Sequence, residues 1–399
     1  MQAYIATTFF GLENVLAKEL SQLGAKNIMP LKRAVRFEAD PLQLYKANMG
    51  LRTALHILHP LAEEKVRNAD QLYALGKAIN WMRWFNNEST YAIRARVSHA
   101  PEFKSPLFAA LKLKDAIADQ FRDFTGSRPN IDRDNPDIEI HLHIFRDRCS
   151  ISIDSSGSSL HRRGYRRGGH AAPMNEVLAA GMLLLSDWRG QGNLVDFMCG
   201  SGTILTEGAL LATNKAPNLL RPNFSLKHWK NFDKELWSQA RMELMSEEKT
   251  FEHRIYGSDF KRSAISEAFK NAHAAGVADF MQLENLDFRK LKRPEEGEPG
   301  AVIINPPYGE RLKPSQIGRL YAQIGDALKK HFSGYSAWLL SSNREATKEV
   351  GLRPKNRIPL YNGPLECRLL QYDLYDGSKQ LEKKRQAEKE NETPKKEES

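Results

Sequence analysis

The feature that most constrains this chain is a rhythm that begins near residue 194. Short apolar runs, Leu194–Phe197, Ile255–Ser258, Phe280–Leu283, Ala301–Ile304 and Ala337–Leu340, alternate with helical or loop-like segments. Runs this short and this apolar suit strands covered on both faces, and such strands joined by crossovers build a doubly wound parallel sheet. Cys367–Leu374 reads as a final strand. Ligands of open parallel sheets lie beyond the carboxyl ends of the strands. The residues just after each run therefore matter more than the run itself.

The first run leads from Asp196 through Met198-Cys199-Gly200-Ser201-Gly202-Thr203 into a helix over Ile204–Ala212. Glycines at a strand-to-helix turn let a ligand approach the backbone, and the helix N-terminus favours a negative group. The third glycine of a dinucleotide fingerprint is missing, because Leu205 holds that position. A carboxylate ahead of the loop suits a ligand carrying a cationic amine. Asp259 closes the second run and Asp287 follows the third. Asp259 could hold ribose hydroxyls, and Asp287 could accept from an adenine amino group. Either acid alone is more often a helix cap or a solvated turn residue. Acids at successive strand ends beside a glycine loop favour the ligand reading.

The fourth run ends in Asn305-Pro306-Pro307-Tyr308. The lone pair of an amide or aromatic amine is delocalised, so its nitrogen is a poor nucleophile. Two acceptors can hold its N–H bonds and direct the lone pair at an electrophile. The Asn305 amide oxygen is one such acceptor and the Pro306 carbonyl is the other. The prolines lack N–H groups and have fixed φ, so the loop is stiff. Tyr308 offers a face on which a planar base can stack. Positioning of this kind can lower a barrier by several kcal/mol without a strong base.

Ahead of the sheet, residues 2–10 favour a strand, and Leu12, Val15, Leu16, Leu20 and Leu23 share one helical face that stops at Gly24. A strand near Ala34–Phe37 completes a small unit, expected to end at residue 55. A second unit, 56–160, has a strand over Tyr91–Val97 with Arg94 and Arg96 on its open face, then a helix carrying Leu107, Leu111, Ile117 and Phe121. Alternating Ile138, Ile140, Leu142 and Ile144 and a partner strand Cys149–Ile153 close it. The run His161-Arg162-Arg163-Gly164-Tyr165-Arg166-Arg167-Gly168-Gly169-His170 contains no acid. It reads as a phosphate contact with a stacked base, or as a solvated linker.

Formal net charge is +10, and the tail from Lys379 contributes only +1 of it. The excess on the folded body favours an anionic partner. No stretch approaches the ~20 apolar residues needed to cross a bilayer. The start of the chain does not read as a signal peptide. Cys149, Cys199 and Cys367 are far apart and odd in number, which argues against a disulfide framework and a zinc site and for a reducing cytoplasm. None follows a proline, as a nucleophile for cytosine-C5 methylation would. Cys199, inside the glycine loop, suits a small packing role. The tail 379–399 is charged, lacks aromatics and is expected to be disordered.

On GLENVLAKELSQLGA, LHRRGYR, AAPMNEVLAAGML, DFMCGSGTILTEGAL, APNLLRPNFSLKHWKNFDKELW and INPPYGER, the chain resembles the THUMP-domain S-adenosylmethionine-dependent RNA methyltransferases. Within them it is most similar to the bacterial 23S rRNA guanine-N2 enzymes with a single methyltransferase domain. The resemblance covers nearly everything before the tail. It implies a ferredoxin-like domain (1–55), a THUMP RNA-binding domain (56–160) and a Rossmann-like class I methyltransferase domain with a seven-stranded sheet (161–378). It implies S-adenosylmethionine as cofactor, contacted by Asp196, Cys199, Gly200, Gly202, Thr203, Asp259, Phe260, Asp287 and Asn305. The target base would be held by Asn305, Pro306, Pro307 and Tyr308, and RNA by Arg94, Arg96, Arg162, Arg163, Tyr165, Arg166, Arg167 and Arg311. Phe197 stands where the family often has proline, so a small local change is expected there. No metal and no membrane are expected. The Asn-Pro-Pro-Tyr motif alone does not separate guanine N2 from adenine N6 or from a protein glutamine amide, and the N-terminal region favours RNA. A tRNA guanine-N2 enzyme, a DNA methylase and a non-catalytic RNA chaperone are the competing readings.

Overall fold

Strand formation in the N-terminal half follows the alternation of apolar residues. Ile138, Ile140, Leu142 and Ile144 are all buried on one face of their strand, while Arg94 and Arg96 are exposed on theirs. The computed structural model describes residues 1–166, 173–292, 298–307 and 314–375. They fall into two units. The first comprises Met1–Tyr165 and Lys215–Glu248, and the second starts at Arg166, leaves at Asn214 and resumes at Lys249.

The first unit has strands β1 (Gln2–Thr7), β2 (Lys26–Leu31), β3 (Ala34–Ala39), β4 (His56–Lys65), β5 (Thr90–Ser98), β6 (Asn130–Ile131), β7 (Ile138–Phe145) and β8 (Arg148–Asp154). They form one sheet in the order β2-β3-β1-β4-β8-β7-β5-β6. Helices α1 (Glu13–Gln22), α2 (Pro41–Gly50), α3 (Ala69–Ala78) and α4 (Pro106–Thr125) belong to it. Local signals set their ends. Asp40 and Gln43 form a capping box at α2, Ser105 accepts from the Phe108 N–H at α4, and α4 stops at left-handed Gly126. The boundary expected at residue 55 falls where β4 begins. That strand pairs with β1 on one side and β8 on the other, so both N-terminal modules share one sheet and one core. Pro60 and an adjacent register shift interrupt its pattern, which is why it is hard to read in sequence.

Residues 215–248, expected in the methyltransferase domain, pack instead with the first unit. The reason is aromatic burial. Trp229 meets Trp84 edge-on at 5.1 Å, and Trp237, in helix α7 (Lys234–Ser246; α5 and α6 precede it in the second unit), meets Tyr45 at 5.5 Å. Each such pair contributes about 0.5–1.5 kcal/mol beyond area burial.

The second unit has α5 (Glu176–Leu185), β9 (Leu194–Asp196), α6 (Thr203–Ala212), β10 (Ile255–Asp259), α8 (Arg262–Ala274), β11 (Met281–Asn285), β12 (Ala301–Ile304), α9 (Pro314–His331), β13 (Ser336–Ser341), β14 (Asn356–Asn362) and β15 (Leu365–Asp373). The order is β11-β10-β9-β12-β13-β15-β14. The first five strands are parallel, and β15 runs antiparallel to β13 and β14. The third strand starts at Met281, after a short 3₁₀ turn that takes up Phe280. The chain winds outward from β9 to β11, returns to β12 beside β9, and winds out the other way. The switch point therefore lies between β9 and β12, where such sheets hold ligands. Phe197, where the family often has proline, is buried between the stacked rings of Phe288 and Phe332 at 5.6 and 5.8 Å.

Among the described residues, no helix is long and apolar enough to cross a membrane. The three cysteines are free and buried.

Candidate active site

The loop between β9 and α6 supplies the first half of the site. Gly200 and Gly202 both have positive φ, +53° and +75°, which glycine adopts at little cost. They do different work. A Cβ at residue 202 would stand 2.8 Å from the Ala268 Cβ, so Gly202 lets α6 approach α8. A Cβ at residue 200 would meet nothing within 4 Å, so the open face of the loop is at Gly200. The Gly200 N–H donates to Asp259 Oδ2 (3.1 Å), while Asp259 Oδ1 accepts from the Lys261 N–H (2.9 Å). Each carboxylate oxygen keeps a lone pair for another donor. Gly200, expected with Gly202 at the cofactor, borders open space, whereas Gly202 is taken up by packing.

Asp196 ends β9 and is 2% exposed. One oxygen accepts from the Met198 N–H (3.0 Å). Burial pushes its carboxyl up to about 8, and Asp259 adds to the rise against that hydrogen bond. Among the described residues no cation lies beside it to offset its charge, and a bound ammonium group would relieve the cost of charging it. The Cys199 thiol is buried beside it and pushed well up by that burial and by the two aspartates, so it is a packing group.

Val195 pairs with Val302, so Asp196 and Asn305 leave neighbouring strands at the same carboxyl edge. Asn305 Oδ1 is buried and has no hydrogen-bond partner. Buried acceptors without partners are few in folded proteins. Pro306 is buried and Pro307 exposed. Tyr308, Arg311 and Arg167, also expected at the site or on RNA, lie outside the described residues, as does the tail.

Asp287 and Phe260 lie toward the exposed side of the same edge. Asp287, expected to accept from an adenine amine, has its carboxylate held by Arg289, which pulls it down to about 2, and it caps a 3₁₀ turn at Phe288–Lys290. Phe260 beside Asp259 is 68% exposed, with the Lys261 ammonium 5.5 Å from its ring centroid. The larger correction concerns the basic run. Arg162 is exposed, but Arg163 is 1% exposed and donates to the carbonyls of Leu160 and Arg52, and Tyr165 is 2% exposed. Arg166 Nη2 pairs with Glu176 Oε1 (2.8 Å), and its guanidinium donates to Ser201 Oγ (3.3 Å) and Thr203 Oγ1 (3.2 Å). Arg163 and Arg166 are internal supports, because neighbouring carbonyls take Arg163 donors and Glu176 takes those of Arg166, and Tyr165 is buried beside them in sequence. Sequence reasoning misses Arg166 as an anchor of the glycine loop. The only hint in sequence is the lone acid, Glu176, at the head of the helix after the basic run. Asn271 supports the same loop from α8, donating to the Ser201 carbonyl (3.0 Å).

A family model described as an RMKL-like methyltransferase domain matches residues 163–371, just over half the chain. The chain belongs to that family. Ahead of this match, an RlmL ferredoxin-like domain matches residues 3–58 and a THUMP domain matches residues 66–154. A candidate RNA methyltransferase of Synechocystis, slr0064, is 39% identical over 93% of this chain and 97% of its own length. The ribosomal RNA large subunit methyltransferase K/L of Syntrophotalea carbinolica is 38% identical over 93% of this chain. The chain spans about half the length of the K/L relatives, 53% in that case. Among solved structures, the candidate methyltransferase SMU.472, complexed with SAH, superposes with a TM-score of 0.86 at 26% identity, covering 94% of this chain and 99% of that one. The family is a methyltransferase family, and the switch-point site between β9 and β12 lies within the matched segment.

Proposed function

We propose that this chain transfers the methyl group of S-adenosylmethionine to the exocyclic N2 amine of a guanine in 23S rRNA. The observation that carries the reading is Asn305: a buried amide oxygen without a partner, at the sheet edge that also holds the buried carboxyl of Asp196. An unmade buried hydrogen bond costs about 1–3 kcal/mol, which a substrate N–H recovers. The residues fit the cofactor. Asp196 suits the ammonium of its methionine part, the open face at Gly200 leaves room, and Asp259 suits ribose hydroxyls. Bound S-adenosylmethionine supplies an electrophilic methyl on a sulfonium. Asn305 Oδ1 and the Pro306 carbonyl take the two N–H bonds of the amine and aim its lone pair. The N–C bond forms as the C–S bond breaks, and the surplus proton leaves the cationic nitrogen for solvent. The SAH in SMU.472, the THUMP match and the rRNA relatives support the cofactor and the RNA class. Exposed Arg94, Arg96 and Arg162 supply positive charge for phosphates.

The test is tritiated methyl transfer from S-adenosylmethionine to rRNA and to tRNA isolated from a deletion strain, with nucleoside analysis of the product. N2-methylguanosine in 23S rRNA is expected. Label on tRNA alone or N6-methyladenosine would replace the reading. Asn305→Ala should lower turnover at least about 100-fold while cofactor affinity changes little. Unchanged turnover would overturn the role of Asn305.

A further inference from the structure

Within the first unit, His56 of β4, Glu139 and His141 of β7 and Asp154 of β8 turn toward one another on one face of the sheet. One ligand atom from each lies within 4.8 Å of all the others, the only such group among the described residues. His141 Nε2 is 3.2 Å from Asp154 Oδ2 and 3.4 Å from Glu139 Oε1, close to both carboxylates at once. His56 Nδ1 is 2.6 Å from the same Asp154 oxygen. The other Asp154 oxygen is fixed by the Ser156 N–H (2.8 Å), which turns Oδ2 toward both histidines.

From these positions we infer that His56, Glu139, His141 and Asp154 form a binding site for one divalent transition-metal ion of the zinc class. Zinc bonds of about 2.0–2.1 Å to nitrogen and oxygen imply tetrahedral edges of about 3.3–3.4 Å. The two edges at His141 already have that length, and the His56–Asp154 edge needs to open by about 0.7 Å on the same reckoning. Two imidazoles and two carboxylates suit zinc or cobalt over calcium or magnesium, which prefer all-oxygen shells. The carboxylates are buried (8% and 0% side-chain exposure), as is the His141 Nε2, whereas the His56 and His141 rings keep 21% and 25% of their surface. Arg94 lies 3.4 Å from Glu139 Oε1 and opposes a cation, but from the exposed side. The cysteine spacing that argued against zinc does not bear on this cluster, which uses no sulfur. A bound ion would tie β4 to β7 and β8, across the seam between the ferredoxin-like and THUMP segments.

Untagged full-length protein, stripped with chelator, is titrated with CoCl2 and then ZnCl2, read by visible absorption and calorimetry. The expected result is one Co2+ per chain, the intense visible bands of four-coordinate cobalt, a Kd below about 10 µM and loss of the bands on adding zinc. His56→Ala and His141→Ala should each raise Kd about 100-fold, while His143→Ala, one rung along β7, should leave it unchanged. His56 is part-exposed, so its variant tests the site even if His141→Ala fails to fold. Absence of saturable binding in the wild-type chain, or binding that survives both histidine variants, would overturn the site.

Discussion

Asp154 ends β8 of the first unit and Asp196 ends β9 of the second, and water is kept from both (0% and 2% exposed). Burial pushes each carboxyl upward. At Asp154 the imidazoles of His56 and His141 more than offset it and hold the group well below the usual carboxylate range. At Asp196 one backbone N–H does not offset it, nearby Asp259 adds to it, and the carboxyl rises to about 8. The difference separates a buried carboxyl whose charge neighbouring imidazoles offset from one whose charge little in the fold offsets. Carboxyls in the second condition are enriched at functional sites.

The comparison breaks most directly at Asp154. Asp154→Asn leaves His56 and His141 facing Glu139 without their shared partner, and the first unit should lose about 3–5 kcal/mol. Amide exchange at Ile151 and Ile153, buried in β8, reads this locally. Protection unchanged in the variant would show that Asp154 is not held by the two imidazoles.

Asp196→Asn should do the opposite to stability and weaken cofactor binding. Between its ordinary value near 4 and about 8, the folded state holds a proton that the unfolded state has released. Stability therefore falls as pH rises through that window. Asparagine does not titrate, so the variant should be as stable as wild type near pH 5 and more stable, by about 1–3 kcal/mol, at pH 8 without cofactor. S-adenosylmethionine affinity should drop about 100-fold, about 2.7 kcal/mol. Thermal melts at both pH values and calorimetry decide. A variant that melts lower at pH 8 would break the contrast.

The alternation in β7 and the acids at strand ends are visible in sequence because they depend on spacing and on neighbours along the chain. Asp196, Asp259 and Asn305 could be placed at one sheet edge for that reason. The partners of buried charge could not. Arg166 stands among arginines in sequence, and only the packing of α5 shows that Glu176 claims it. Asp287 and Arg289 are two residues apart, but whether they pair or part for a ligand depends on a 3₁₀ turn too short to read. Likewise, nothing in the composition of residues 215–248 says which unit their aromatic rings will cover.

Arg166 extends the contrast within the second unit, as a largely buried charge that is paired. Arg166→Gln should leave Ser201 and Thr203 without their donor and Glu176 buried alone. We expect a rise in KM for S-adenosylmethionine of about tenfold, about 1.4 kcal/mol, with kcat less affected, because the loop is displaced and no group that touches the base is lost. A change confined to RNA affinity, with KM for the cofactor unmoved, would return Arg166 to the RNA surface that its basic neighbours suggest.

The smallest effects belong to the charges that water still reaches. Arg94 touches Glu139 from the exposed side, and Arg96 has an exposed guanidinium on the same strand. If they meet phosphates, Arg96→Ala should weaken RNA binding evenly across sequences and lower the slope of log affinity against log salt by about 0.7–0.9. Arg94→Ala should do less, because Glu139 already neutralises part of its charge. Arg163→Ala separates surface from support. Its guanidinium is buried on backbone carbonyls, so its loss should lower the melting temperature of the first unit and leave the salt slope of the surviving folded protein unchanged. A slope that falls for Arg163→Ala and not for Arg96→Ala would reverse the assignment of which arginines face RNA.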